Sequence, residues 1–299
     1  LAQDLFEVGE ISELGSVNEI LVLNKSDFAV LILDGEILTG AKQNRVVNAS
    51  VLVSLKEMKT LGLEVICFIP CCSSKSVGGG VERPPYVWPG SGLERAWVRL
   101  EVARRGMEHC IEGNSRPTPA MHLYNGSFYS AFDAGLARQL IYSGKLRLFI
   151  ISAGYGVLDA FEPARNYDAE MKGRVARYWR EAGLADIIGD ICLVLSPQRV
   201  YGFFAGEPGW SGSGAKYRYF FTEGVKKALS SGFKPAQAGC FYRESGRGVT
   251  AILGALGRAF SRWLSSGPNC DMIVEAAKTN GLRDGGIIIR YQDFLAAGE

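Results

Sequence analysis

Between residues 1 and 57 short apolar runs alternate with turn signals: EILVLN at 19–24, AVLILDGEIL at 29–38 and RVVNASVLVSL at 45–55. Asp34-Gly35 between aliphatic runs is a hairpin signal, so this segment reads as antiparallel β. The pattern changes at VICFIP (65–70), a continuous apolar strand that ends in a loop of small polar residues. From there buried strands alternate with amphipathic helices. LRLFIIS, ICLVLS, RVYGFFAG and AGCFY read as strands. LERAWVRLEVARRGMEHCI, SFYSAFDAGLARQLIYSG, GRVARYWREAGLADIIG, FTEGVKKALSSG and the last part of RESGRGVTAILGALGRAFSRWL read as helices, and in the last of these Ile252, Leu256, Phe260 and Trp263 form one stripe. The pattern predicts an α/β fold: a mostly parallel central sheet with flanking helices, preceded by a short β-rich N-terminal segment. Three parts are expected: 1–57, a main domain over 58–267, and a C-terminal appendage over 268–299 after the Gly267-Pro268 break.

Composition narrows this picture only in places. The 299 residues, 47% hydrophobic, are enough for a large core, and 33 basic against 31 acidic side chains neither demand nor exclude a nucleic acid partner. No apolar run approaches the length of a membrane span and the first residues do not read as a signal peptide, so a cytoplasmic protein without membrane contact is expected. Seven cysteines in no C-x-x-C pair, and two histidines in all, argue against a disulfide framework and against a metal site, and no cofactor is expected.

The chemistry gathers in loops. In FIPCCSSKS (68–76) the hydroxyls of Ser73, Ser74 and Ser76 and the ammonium of Lys75 follow a strand end, a layout suited to an anion. A plain turn with buried cysteines accounts for it equally well. LYNGSFY supplies Tyr124, Asn125, Ser127 and Tyr129, whose hydroxyls and amide are able to read a base, a sugar or a phosphate, or simply to cap a helix and pack on the core. ISAGYGVLDAFEPARNYDAEM brings Ser152, Tyr155 and Gly156 at a strand end, then Glu162, Tyr167, Asp168 and Glu170 in a loop longer than a connection needs. FYRESGRGV places Arg243 and Arg247 before a helix as a second anion contact or a solvated helix start. Arg95, Arg99, Arg104 and Arg105 are interleaved with Glu94, Glu101 and Glu108, so a salt-bridged helix face is preferred there over a nucleic-acid track with Trp88 or Tyr86 as stacking rings.

These stretches, in this order and spacing over residues 63 to 265, resemble the YaaA-like superfamily. Its motif positions fall here on Cys71, Ser73, Lys75, Tyr124, Gly126, Ser152, Ala153, Tyr155 and Gly156, with Tyr167, Asp168, Arg243 and Arg247 beside them. The resemblance implies a cytoplasmic protein of the response to hydrogen peroxide that binds DNA or a nucleotide at the strand ends. The doubled cysteine and the 78–119 insert depart from the family pattern. Residues 1–57 are similar to part of a domain found beside ADP-ribosylglycohydrolases and rhodanese-phosphatases, through Asp34, Gly35, Glu36, Gly40, Lys42, Gln43, Asn44 and Arg45. A truncated domain leaves strand edges open, so weak order, docking on the larger domain or a homodimer through this segment is expected.

On this reading Cys71, Ser73, Ser74, Lys75, Tyr124, Asn125, Gly126, Ser152, Tyr155, Gly156, Tyr167, Arg243 and Arg247 line a ligand and phosphate site. The alternative is an enzyme that cleaves or modifies an N-glycosidic bond of a nucleoside or modified base, with Asp168 and Glu170 as its catalytic carboxylates.

Overall fold

The computed structural model describes residues 6–9, 19–24, 30–33, 35–38, 45–47, 51–53, 58–62, 64–76, 88, 92–267 and 270–296. Asp34, Gly40, Lys42, Gln43, Asn44 and Tyr86, named above, lie outside them.

Seven strands form the main sheet: β1 (Val65–Pro70), β2 (Arg147–Ser152), β3 (Gly156–Asp159), β4 (Arg199–Phe204), β5 (Gln237–Ser245), β6 (Leu282–Asp284) and β7 (Ile287–Asp293). Their order is β3-β2-β1-β4-β5-β7-β6. The four central strands run parallel, β3 folds back on β2, and β7 and β6 are antiparallel. Every residue of β1 and β2 is buried, as an apolar run demands when helices cover both faces of a sheet.

The helices of eight or more residues among those described are α1 (Glu94–Arg105), α2 (Ala134–Tyr142), α3 (Gly173–Glu181), α4 (Leu184–Leu195), α5 (Tyr217–Ser230), α6 (Val249–Ser266) and α7 (Met272–Thr279). Strand alternation sorts the core between their two layers. Phe68 and Phe204 meet Phe221 of α5 at 5.5 and 5.3 Å between ring centres. Tyr201 and Phe203 turn the other way, to Trp263 and Phe260 of α6 at 5.1 and 5.0 Å. α1 and α4 join the α5 layer, and α2 joins α6.

Several expectations are revised. ICLVL is the end of α4 and not a strand: Ile187, Ile188, Ile191, Cys192 and Leu195 are all buried, and a short apolar run looks the same in a buried helix as in a buried strand. The runs flanking Asp34-Gly35 do not pair with each other. Val30–Ile32 pairs with Val51–Val53 and Ile37–Leu38 with Arg45–Val46, so the chain kinks at Gly35 (φ 85°) within one long ribbon. Met58–Gly62 pairs with Glu19–Asn24, which carries the N-terminal sheet to residue 62. Residues 270–296, expected as an appendage, supply α7, β6 and β7, and β7 pairs with β5 inside the main sheet.

The strand order fixes where a ligand fits. From β1 the chain adds β2 and β3 on one side, then returns to add β4 and β5 on the other. Between β1 and β4 the connections diverge, and the crevice outside their carboxyl ends is where open α/β sheets bind ligands.

Candidate functional site

The turn after Pro70 stands at that crevice. Cys71 donates its N–H to Ile151 O (2.9 Å), which extends the β1–β2 ladder by one residue, and Tyr129 Oη donates to Pro70 O (2.8 Å). The turn then runs against the 122–126 segment: Lys75 bridges Tyr124, Asn125 N donates to Ser74 O (3.2 Å), and Ser76 N donates to Leu123 O (2.7 Å). Cys72 Sγ accepts from Gly126 N (3.3 Å) and donates to Ser74 O (2.8 Å). A Cβ at position 126 would lie 3.0 Å from that sulfur, so the close approach relies on glycine.

Behind the turn five side chains converge. Cys71 Sγ lies 3.0 Å from Tyr217 Oη at the first residue of α5 and stands beside Tyr167. Tyr124 Oη, Ser152 Oγ and Tyr167 Oη form a triangle with sides of 3.3, 3.1 and 3.1 Å. Ser152 Oγ further accepts the N–H of Tyr155 (3.1 Å). Tyr167 reaches the triangle by lying against Gly154, where a Cβ would meet its ring at 2.7 Å. The Lys75 ammonium sits 4.0 Å above the centre of the Tyr167 ring and donates to Ser73 O (3.2 Å).

Burial, reinforced by the neighbouring Cys71, lifts the phenols of Tyr124, Tyr167 and Tyr217 well above their ordinary value. They are therefore neutral hydroxyls at physiological pH, each able to donate and accept. Burial also raises the Cys72 thiol, partly offset by the Gly126 N–H. All seven cysteines are free thiols. Among the described residues no three His, Cys, Asp or Glu side chains gather as a metal-ligand set.

The remaining candidate residues stand as follows. Ser73, Ser74 and Asn125 are exposed on the rim. Tyr155 abuts the cluster through its ring, 5.6 Å from Tyr167, but its hydroxyl closes the loop by bonding the main chain of Arg165. Gly156 opens β3 behind the cluster. Asp168 is exposed, its N–H goes to Cys110 O (2.9 Å), and its charge raises the Cys110 thiol, after burial. Glu170 is exposed and paired with Lys172 (2.9 Å). Arg243 pairs with Glu207 (3.8 Å) and Arg247 is exposed at the start of α6, so neither is brought into the cluster.

The helix of the 78–119 insert is built into the frame. Arg104 of α1 donates to Glu162 (2.6 Å), Tyr155 O (3.0 Å), Val157 O (2.5 Å) and Glu101 (3.0 Å). Glu162, buried, also accepts from Trp88 Nε1 (2.7 Å) and Asp159 N (3.1 Å). Arg99 pairs with Asp190 at 3.0 Å. Trp88 is buried, so it is no stacking ring for a nucleic acid. Sequence reasoning missed Tyr217 and the anchoring role of Arg104. The signal for Tyr217 was a tyrosine opening a helix directly after a Gly/Ser loop.

Residues 1–68 match the model of a family described as the ARG and Rhodanese-Phosphatase-superfamily-associated Protein domain, ARPP-1. The match takes in the N-terminal sheet as far as Gly62 and enters β1. No curated protein matches the chain. Among the described residues no helix is long and apolar enough to cross a membrane.

Proposed function

We propose that this protein binds a nucleotide or a nucleic acid in the crevice at the carboxyl ends of β1, β2 and β4, as a YaaA-like protein of the cellular response to peroxide. One observation carries the reading. Lys75, Tyr124, Ser152 and Tyr167, from three motifs spread over nearly a hundred residues of chain, converge at the sheet's switch point within hydrogen-bonding or ring-contact distance, with Cys71 beside them on Tyr217. Neutral hydroxyls beside one ammonium suit a ligand with an uncharged polar edge and a negative charge, as a base and sugar with phosphate present. Lys75 and the rim hydroxyls of Ser73 and Ser74 meet the charged part, and the tyrosines meet the base or sugar.

The glycosidic-bond alternative draws on Asp168 and Glu170, both exposed and engaged off the cluster, so binding is the reading preferred. Gel-shift titration with DNA over a salt series, alongside calorimetry with nucleotides, tests it. The expected result is salt-sensitive binding that Lys75→Ala weakens. Absence of binding at low salt, or indifference to Lys75→Ala, overturns it.

A further inference from the structure

The loop between β4 and α5, residues 205–216, has the sequence AGEPGWSGSGAK and ends against the tyrosine cluster. Lys216 donates its N–H to Met171 O (2.9 Å), and the next residue, Tyr217, meets Cys71. Lys216 and Arg218 are only 6% and 5% exposed, and the ion pairs among the described residues include neither. Lys216 Nζ donates to the carbonyls of Ser211 (2.7 Å) and Gly212 (2.9 Å), with one N–H to spare. Arg218 donates to Gly206 O (3.1 Å) and Gln292 Oε1 (2.8 Å) and stacks over the Tyr242 ring at 4.0 Å, while its Nε has no hydrogen-bond partner.

Two positive charges are thus withdrawn from water onto neutral oxygens, an arrangement that an arriving anion relieves. Two more cations border the loop. Arg180 lies 4.0 Å over the Trp210 ring, and Arg243 faces Glu207, an exposed acid 3.8 Å away. From Gly206 to Ala215 no main-chain N–H donates to another main-chain group of the described residues, and glycine and serine leave those donors uncovered.

We infer that residues 205–216 form a second phosphate-binding loop, which takes a further phosphate of the ligand whose base or sugar the tyrosine cluster holds and whose nearer phosphate meets Lys75; the assignment rests on the binding reading above. The loop N–H groups and the remaining Lys216 N–H contact the phosphate oxygens. Arg218, Arg180 and Arg243 supply the surrounding positive field.

Calorimetry and thermal melting of the full chain with inorganic pyrophosphate, with a nucleoside and with the matching nucleotide test the inference. Pyrophosphate is expected to bind and to raise the melting temperature. Lys216→Met and Arg218→Gln are expected to weaken it about tenfold or more, and Lys75→Ala by less than about twofold. If the buried substitutions do not fold, the double variant Arg180→Gln/Arg243→Gln on the partly exposed side is expected to weaken pyrophosphate about threefold. No pyrophosphate binding, or binding indifferent to the loop variants that fold, overturns the loop. Pyrophosphate binding without any gain for the nucleotide over pyrophosphate keeps the loop and overturns the nucleotide reading.

Discussion

The charged network of Arg104, Glu162 and Trp88 and the uncharged network of Cys71, Tyr124, Ser152, Tyr167 and Tyr217 hold the same loop, residues 153–171. They meet at Tyr155, whose N–H goes to Ser152 and whose carbonyl accepts from Arg104. The charged network is directional and costly to disturb, because removing one member leaves an opposite charge buried alone. The hydroxyl network is neutral, and each of its groups can exchange donor for acceptor without moving. On one side of the loop the frame is built from charge, and on the other a buried cluster is built from hydroxyls.

The largest expected effect tests the frame. Arg104→Met strands the Glu162 carboxylate and is expected to cost about 3–5 kcal/mol of stability, read as a lower urea midpoint. A loss no larger than that of an exposed substitution would place Arg104 outside the frame and dissolve the contrast.

The hydroxyl network comes next. Phenols raised above the unfolded value hold their protons in the folded state, so their contribution to stability is intact below about pH 10 and declines as pH rises past it. Tyr167→Phe is expected to cost about 1–2 kcal/mol at neutral pH, to make the alkaline decline shallower, and to weaken ligand binding while leaving the ring under Lys75. An alkaline profile unchanged by Tyr167→Phe would show that the network does not titrate with folding.

The smallest effect is expected outside both networks. Asp168→Asn and Glu170→Gln, on exposed side chains, should change stability by no more than about 0.5 kcal/mol and leave binding intact. Chromatographic detection of base released from nucleosides by the unaltered protein, and its loss in these variants, would instead put the glycosidic-bond reading ahead of binding.

How far the sequence carried depends on which physical signal each feature leaves. Runs such as VICFIP and LRLFIIS announce strands buried on both faces, and the turn after VICFIP is legible as a site because it interrupts such a run with small polar residues. Cys71, Lys75, Tyr124, Ser152 and Tyr167 were named beforehand and are brought together. The direction of a side chain is a different matter. Nothing local tells that Asp168 faces Cys110, that the Tyr155 hydroxyl is used up on Arg165, or that Arg104 turns inward while Arg99 pairs across the surface with Asp190. Those outcomes depend on which element packs alongside, and the helix ending ICLVL shows the same dependence at the level of secondary structure. The antiparallel edge β7–β6 follows a Gly-Pro break that reads locally as an end of the domain, yet its pairing with β5 is long-range.

The contact between Cys71 and Tyr217 joins positions 146 residues apart. Closing so long a stretch of chain is among the slower events available to a folding domain, because its entropy must be lost before the contact rewards it. The sulfur at the end of the first central strand is therefore shielded only after the second half of the sheet has been laid beside it. Its reactivity toward a thiol reagent, followed through refolding, keeps time for the arrival of α5.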